Sequence, residues 1–377
     1  MFSTLDVDIR PGSGLGRFEI GASLWTVLDM LRSLTHIFPS VEVKYDPDTS
    51  STTPVVLHLR PHLDLLFSGK HQRLHTICLR KLRDPFPPVT LRYKDTVLSS
   101  AEGPFTRVVA RRAFGPTYPG DELRYPGLWF SFEEDGRGDG GRGVEDKTQE
   151  VKRVLVSQKG NDGKSQDALE EVGEVPVMEG DVKQAVVKVH DGVALYFYGA
   201  AGASAKPVHI RLGETTAQDL TVDLGPPLRV HYKEDERMSI HATDSVPETD
   251  NGYFYNYFQH GLDFLISGPS HVVTKIILHS NVPGSPLFQR YKRCNWEIEG
   301  KPEDDEDDTP PRKRFYDRFE TISHFLSPRE PPPSMHLDRT DEEEDITLPS
   351  TTSRLYGYDG IILEVSEASQ VLSVTLF

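Results

Sequence analysis

A triple of apolar residues at alternate positions recurs four times along this chain of 377 residues and limits the folds that it can adopt. In the best-patterned stretch, from Tyr253 to Ser280, the triple points to one face because side chains alternate along a β-strand. The four triples are Leu63/Leu65/Phe67, Leu128/Phe130/Phe132, Leu262/Phe264/Ile266 and Ile361/Leu363/Val365. Three of them directly follow a glycine, which favours a turn. The recurrence predicts repeated β-meanders, each with one apolar face.

A short amphipathic helix is predicted upstream of each triple, because apolar residues recur there at helical spacing. The four helices are predicted over 24–31, 105–114, 217–224 and 319–326. Ser23 is the expected cap of the first helix, and Thr216 with Asp219 forms a capping box at the start of the third. The repeat unit is therefore one helix followed by an antiparallel meander. We predict an α+β fold of about four such units, stacked around shared cores.

Composition predicts five segments along the chain. They are an N-terminal lobe with repeats one and two (1–135), a disordered Gly-rich and charged insertion (136–180), a central lobe with repeat three (181–300), an acidic linker (301–312), and repeat four with a loop at 331–350 (313–377). The insertion contains GRGDGGRG and no aromatic residue, a composition that is typical of disorder. The linker contains six consecutive acidic residues.

The charge balance excludes some classes of partner and favours one compartment. The formal net charge is −16, which argues against broad nucleic-acid binding, since phosphates are neutralised by Lys and Arg. Only two cysteines are present, Cys78 and Cys294, which is typical of a reducing compartment. No apolar run approaches the length of a membrane-spanning helix, and the first residues do not resemble a signal peptide. We therefore expect a cytoplasmic protein that binds no nucleic acid.

Motifs of the common cofactor sites are not assembled. A GxGxxG pattern is present at Gly138, Gly140 and Gly143, but no predicted helix follows it, and a dinucleotide site needs that helix. A P-loop and a GxSxG nucleophile motif are absent from the sequence. We expect no cofactor.

Two pairs of histidines have the spacing of metal ligands on a helix. His58, the first of one pair with His62, lies in a predicted strand, where residues four apart are separated by roughly 13 Å. His71 and His75 begin in a predicted turn. Neither pair has the cysteine or acidic partners of known zinc motifs, so we expect no metal site.

Two aspartates occupy the same position in related repeats. Asp64 lies in LDLLFSG and Asp263 lies in LDFLISG. A pair of carboxylates could serve a hydrolase with a cleft between repeats. The favoured interpretation is that each aspartate is an outward polar residue on a half-buried strand. We expect no catalytic residues.

The segment from Pro286 to Trp296 is the candidate interaction site. It alternates aromatic with basic side chains, and the candidate residues are Phe288, Arg290, Tyr291, Lys292, Arg293 and Trp296. Tyr, Trp and Arg carry much of the binding energy of protein interfaces, and such a mixture also suits an anionic membrane surface. An ordinary strand with a basic outer face is an equal alternative. A second basic cluster, Pro311–Arg314, fits a nuclear signal or a contact with anionic lipid.

Several segments together resemble the phagosome assembly factor 1 family. The main one is GYFYNYFQHGLDFLISGPSHVVTKIILHSNVPGS, followed by RYKRCNWEI. Others are FEIGASLWTVLDMLR, LDLLFSGKHQRLHTICL, LGETTAQDLTVDLGPPLRVHYKEDERMSIH and the terminal LYGYDGIILEVSEASQVLSVTLF. The resemblance extends over nearly the whole chain, apart from 136–180, 301–312 and 331–350.

The resemblance implies a non-enzymatic role as a scaffold in autophagy. It implies a WD-repeat β-propeller partner of the breast-carcinoma-amplified-sequence-3 family, recruitment to the phagophore assembly site, and contact with phosphoinositide membranes through that partner. It implies no catalytic residues. Two alternatives stay open at this point: a lipid-binding or lipid-transfer module with a cavity between sheets, and the hydrolase considered above.

Overall fold

The computed structural model describes residues 5–47, 51–85, 87–117, 122–132, 148–159, 170–199, 206–232, 252–300, 310–328, 332–338 and 352–377. The chain forms two compact units. The first comprises Met1–Asp46 and Thr52–Met178, and the second comprises Pro47–Ser51 and Glu179–Phe377.

The first unit contains a small sheet, a large sheet and two helices in its described residues. Its elements are β1 (Leu5–Arg10), β2 (Gly14–Leu15), β3 (Phe18–Glu19), α1 (Leu24–Ser33), β4 (Val41–Lys44), β5 (Val55–Leu59), β6 (Leu63–Phe67), β7 (Leu74–Arg80), β8 (Val89–Tyr93), β9 (Thr96–Ser99), α2 (Arg107–Phe114), β10 (Glu122–Tyr125), β11 (Leu128–Ser131) and β12 (Arg153–Ser157), followed by a 3₁₀ turn at Pro176–Met178. The small sheet has the order β3-β2-β1-β8-β9, and the large sheet has the order β10-β11-β12-β7-β6-β5-β4.

The second unit has the same kinds of element. They are β13 (Val182–Lys188), β14 (Gly192–Phe197), β15 (Val208–Arg211), α3 (Ala217–Leu224), β16 (Arg229–Tyr232), β17 (Tyr253–Tyr257), β18 (Leu262–Ile266), β19 (Val273–His279), β20 (Trp296–Glu299), β21 (Arg312–Arg314), α4 (Phe319–Leu326), β22 (Ser334–Asp338), β23 (Thr352–Tyr358), β24 (Ile361–Val365) and β25 (Val371–Leu376). The small sheet has the order β15-β14-β13-β20-β21, and the large sheet has the order β16-β17-β18-β19-β25-β24-β23-β22.

The second unit repeats the topology of the first. Each small sheet has one parallel pair among its described strands. The pair is β1 with β8 in the first unit and β13 with β20 in the second. In each large sheet two antiparallel meanders join through their last strands, β7 with β12 and β19 with β25. The strands β6 and β18 even carry a register irregularity at the same place, before Phe67 and before Ile266. The four repeats are therefore assembled as two pairs, and the α+β fold predicted from the sequence is confirmed.

The apolar triples lie in the cores, as predicted. All twelve side chains are buried. In the second unit, buried residues of both sheets and both helices form one core, which includes Trp296 from the small sheet, Leu220 from α3 and Phe264 from the large sheet. The glycine before the triple adopts a left-handed conformation in three repeats, with φ of 73° at Gly127, 72° at Gly261 and 70° at Gly360. Glycine adopts this conformation without the steric cost that a Cβ imposes, which explains its recurrence.

Each helix begins against the turn that precedes the last strand of its repeat. The first helical amide donates to a carbonyl of that turn, from Leu24 to Gln72, from Ala217 to His271 (both 2.9 Å), and from Phe319 to Ser369 (3.1 Å). All three acceptor residues have a positive φ, between 50° and 58°. This contact supplies a partner for an amide that would otherwise have none at a helix start. The predicted caps are also present, with Ser23 bonded to the amide of Thr26 and Thr216 forming the capping box with Asp219.

Two predicted irregular segments contain strands. Arg153–Ser157, inside the predicted disordered insertion 136–180, is β12 and lies between β7 and β11 in the large sheet. The prediction of disorder is wrong there because Val154 and Val156 alternate into the core. Ser334–Asp338, inside the predicted loop 331–350, is β22 at the edge of the second large sheet. The GxGxxG glycines and the six-acid run of the linker lie outside the described residues.

Candidate interaction site

The structure buries most of the predicted interaction site. Phe288, Tyr291, Lys292, Arg293 and Trp296 are buried, and Arg290 is half-buried. The segment is not a strand before Trp296, because it carries the chain from β19 in the large sheet to β20 in the small sheet. Its backbone is bonded to the large sheet, from Lys292 N to Phe258 O and from Cys294 N to His279 O, both at 2.9 Å. The prediction that these side chains form an exposed surface is therefore wrong.

The cations of this segment have partners inside the second unit. The Arg293 guanidinium donates to the carbonyls of Ser280 (2.8 Å), Ser51 (2.9 Å) and Asn281 (3.3 Å), and it lies over the ring of Phe315. Lys292 forms an ion pair with Asp181. Alternation of aromatic and basic residues indicates an interface only if the charges lack partners within the chain, and these two cations have them.

A buried network surrounds Asp263. Its carboxylate accepts hydrogen bonds from Tyr291 Oη (2.6 Å), Asn256 Nδ2 (2.7 Å) and His279 Nε2 (2.9 Å). The rings of His279 and Tyr291 are stacked, with centroids 3.7 Å apart. Asp263 is therefore not the outward polar residue that its alternation predicts, because Tyr291 from the crossing segment covers it.

The first unit contains a counterpart of this network. Asp64 accepts from His58 Nδ1 and from Arg80 at 2.8 Å, and its side chain is partly exposed. His58 lies opposite Asp64 across β5 and β6, as Asn256 lies opposite Asp263 across β17 and β18. The matching positions of the two aspartates were visible in the sequence, whereas their partners come from neighbouring strands and were not.

The histidine pairs do not form a metal site among the described residues, where no group of three or more His, Cys, Asp or Glu side chains could hold an ion. His58 is bonded to Asp64, and His62 Nε2 lies 2.8 Å from the carbonyl of Pro87. Cys294 is buried, and burial raises the pKa of its thiol, so the reactive thiolate is disfavoured.

The second unit also has an open groove of about 710 Å³. Its walls are the ends of the parallel strands β13 and β20, the last turn of α4, and the β23–β24 turn; its lining residues include Val189, His190, Ile298, Phe325, Leu326 and Tyr358. The charges at its rim are paired, since Lys188 lies 3.2 Å from Glu299 and His190 lies 3.2 Å from Asp359. Such a groove offers apolar contact area, but its described lining has no unpaired cation that would select a phosphate group.

The second basic cluster is paired as well. It forms β21, whose Arg312 lies 2.8 Å from Glu299 and whose Arg314 lies 3.0 Å from Glu297. These pairs connect β21 to β20, the neighbouring strand of the small sheet. The cluster therefore contributes to the small sheet, and its arginines already have carboxylate partners.

The stability of the protein is expected to fall as the pH drops from about 6.5 to about 4, because of His260. The pKa of this histidine is lowered from 6.5 to about 4, chiefly by burial and also by nearby Lys292, while Asp181 and a hydrogen bond to the backbone of Leu224 act in the opposite direction. The unfolded chain takes up a proton near pH 6.5 that the folded chain resists, so stability is complete above that pH and decreases below it by roughly 2–4 kcal/mol.

Urea unfolding at about pH 7 and about pH 4.5 measures this effect. Carboxylates titrate in the same pH range, so the variant His260→Gln serves as the control. Its free energy of unfolding should change less between the two pH values than that of the wild-type chain. An identical pH dependence in both proteins would contradict the assignment to His260.

Comparison with known proteins agrees with the resemblance noted above. A family model described as phagosome assembly factor 1 matches residues 14–377. The chain belongs to the phagosome assembly factor 1 family. A PHAF1 protein of Arabidopsis thaliana is 28% identical over 98% of this chain and 92% of its own length. PHAF1 proteins of Caenorhabditis elegans and Drosophila melanogaster are 26% and 25% identical over 98% and 99% of this chain, and over 92% and 94% of their own lengths. No solved structure matches the chain.

Membership of the phagosome assembly factor 1 family is consistent with a role related to autophagy, and the name is that of an assembly factor. Among the described residues, no helix has the length and apolar character needed to cross a membrane.

Proposed function

We propose that this protein is a non-enzymatic scaffold in autophagy. It acts in the cytoplasm with a WD-repeat β-propeller partner of the breast-carcinoma-amplified-sequence-3 family and is recruited with that partner to the phagophore assembly site. The observation that carries the proposal is the family match over residues 14–377. The match covers both compact units, so the proposal concerns the whole chain.

The chemistry of the second unit supports a scaffold over an enzyme. The aspartate that could have belonged to a carboxylate pair, Asp263, is buried and accepts three hydrogen bonds from its own unit. A catalytic carboxylate needs access to a substrate, whereas a buried and fully bonded carboxylate stabilises a fold.

The packing of the second unit supports protein binding over lipid transfer. Its two sheets enclose large side chains, among them Tyr257, Trp296 and Phe315, in one continuous core. Tyr257 also donates to the carbonyl of Gly225 at 2.9 Å, and burial raises its pKa to about 12. The space around these side chains is therefore filled by the protein itself, and the groove at the ends of β13 and β20 is open rather than an enclosed cavity. Contact with phosphoinositide membranes is accordingly assigned to the propeller partner.

Co-precipitation of the full chain with the tagged propeller partner, together with imaging in starved cells, tests the proposal. We expect the two proteins to co-purify and to appear in the same puncta. Loss of the partner should leave this chain diffuse. Vesicles that contain phosphatidylinositol 3-phosphate should retain the chain only when the propeller is added. The scaffold function would be rejected if the chain neither co-purified with the partner nor formed puncta.

A further inference from the structure

The edge strand β16 carries the strongest remaining signal in the described part of the second unit. β16 is the first strand of the eight-stranded sheet and pairs only with β17 among the described strands. Its register is regular, from Arg229 opposite Asn256 to Tyr232 opposite Tyr253. All four of its residues are exposed. An edge strand directs unpaired backbone amides and carbonyls outward, and these groups can pair with another strand.

One side of β16 is apolar and exposed. Leu228 before the strand is 57% exposed, Val230 is 42% exposed and Tyr232 is 68% exposed. Val230 and Tyr232 lie opposite Tyr255 and Tyr253, and the rings of Tyr232 and Tyr253 are 5.8 Å apart. The side chains of Val230 and Tyr232 therefore extend the apolar face of the large sheet beyond β17. Val222 on α3 is also 76% exposed.

The opposite side of β16 is basic. Arg229 and His231 alternate with the apolar residues. Arg229 makes no ion pair with any residue in the described part of the chain. Its charge is therefore available to a carboxylate on a neighbouring strand, where opposite charges placed across a strand pair are favourable.

The corresponding strand of the first unit is an edge strand whose charged side chains are paired. β4 is the last strand of the seven-stranded sheet and is the first meander strand of its repeat, as β16 is in the third repeat. Its Glu42 lies 2.9 Å from Arg60 and 3.6 Å from Lys44, so the charges of this edge are paired. Charged side chains on an edge strand discourage the addition of another strand, and β4 has two of them, Glu42 and Lys44, whereas β16 has only Arg229. The edge of β16 is therefore the less charged of the two and the more favourable for an added strand.

We propose that β16 accepts an extended segment of a partner protein as a ninth strand of the sheet. The segment alternates apolar with acidic residues, so that its apolar side chains contact Val230 and Tyr232 while a carboxylate contacts Arg229. Backbone pairing supplies affinity, and the two faces supply specificity. A second copy of this chain fits less well, because the antiparallel register that keeps the apolar side chains of two β16 strands together also places Arg229 and His231 against their own counterparts. The inference rests on the scaffold function and identifies one binding surface for it.

The direct test measures binding of the full chain to a fluorescent peptide of about ten residues in which valine alternates with glutamate. The variant Val230→Glu/Tyr232→Glu should weaken binding at least about tenfold, because like charges and lost apolar contacts disfavour the added strand. The matched control Val41→Glu on β4 should leave binding unchanged. The variant Arg229→Glu should no longer bind the glutamate peptide and should instead bind a peptide in which valine alternates with lysine. Thermal melting should show all variants folded, since the altered residues are exposed.

The outcomes separate this inference from the scaffold function. If the propeller partner binds the wild-type chain and the β16 variant equally, and the peptide does not distinguish them, the edge proposal is overturned while the scaffold function stands. If the peptide binds as expected but the propeller does not, the scaffold function fails and the edge proposal stands. If the peptide does not bind and sedimentation shows self-association that the β16 variant abolishes, the occupant is a second copy and the proposal is overturned.

Discussion

Reversing the charge of Arg293 (Arg293→Glu) is expected to lower the free energy of unfolding by about 3–5 kcal/mol, because it replaces a satisfied buried cation by an unpaired buried anion. The guanidinium donates to three backbone carbonyls, two of which, on Ser280 and Asn281, lie just beyond β19. A carboxylate in that position could not donate, and its charge would face carbonyl oxygens. Chemical denaturation of the purified chain measures the loss.

The control for this variant is Arg290→Glu, three residues earlier in the same segment. Arg290 is half-buried, so the reversed charge keeps access to water and should cost less than about 1 kcal/mol. If the segment were instead the exposed interaction surface predicted from the sequence, both reversals would weaken partner binding and leave stability unchanged. A fully stable Arg293→Glu protein with impaired binding would restore that surface hypothesis.

Removing the carboxylate at the centre of the buried network (Asp263→Ala) is expected to cost about 3–5 kcal/mol, because three donors lose their acceptor at once and each unsatisfied buried donor costs about 1–3 kcal/mol. The donors are on Tyr291, Asn256 and His279. Since Tyr291 belongs to the crossing segment, the loss should also loosen the packing of that segment on the large sheet. Urea denaturation measures the first effect, and amide hydrogen exchange over 286–295 measures the second.

The matched control is Asp64→Ala at the equivalent position of the first unit. Asp64 has two partners and a partly exposed side chain, so water can replace part of what is lost. We expect a cost of about 1–2 kcal/mol there. If the two variants were equally destabilised, burial would not be what distinguishes the two networks.

Local sequence patterns predicted the local structure well. The apolar triples, the helices and the caps at Ser23 and Thr216 follow from periodicity and from hydrogen bonds between residues close in sequence, and all are present. The small sheets follow from pairings that are distant in sequence, such as Leu5 with Val89. β8 and β9 were not predicted at all, and no local sequence pattern predicts that β1 is parallel to β8.

The prediction of an exposed interaction surface at 286–296 failed for a related reason. Whether Tyr291 or Arg293 is exposed depends on what the crossing segment lies against, and periodicity does not report this. The partners of Arg293 are backbone carbonyls, which every residue possesses and which leave no sign in the sequence. The repeated aspartate was the better clue, because in both repeats it is bonded to the residue that lies opposite on the preceding strand. The exposed edge of β16 could have been noticed from Val230 and Tyr232 only if the edge position of that strand were known.

The parallel pairing of β1 with β8, and of β13 with β20, has a consequence for how the chain is made. During synthesis β1 emerges from the ribosome long before β8. Its parallel pairing with β8 therefore cannot form until the first meander has emerged. The strands of that meander pair with their immediate neighbours and can assemble as they appear. The same sequence of events recurs when β13 emerges before β20. Each small sheet is thus completed after the meander that separates its two parallel strands in the sequence. Its completion stabilises a meander that has already formed.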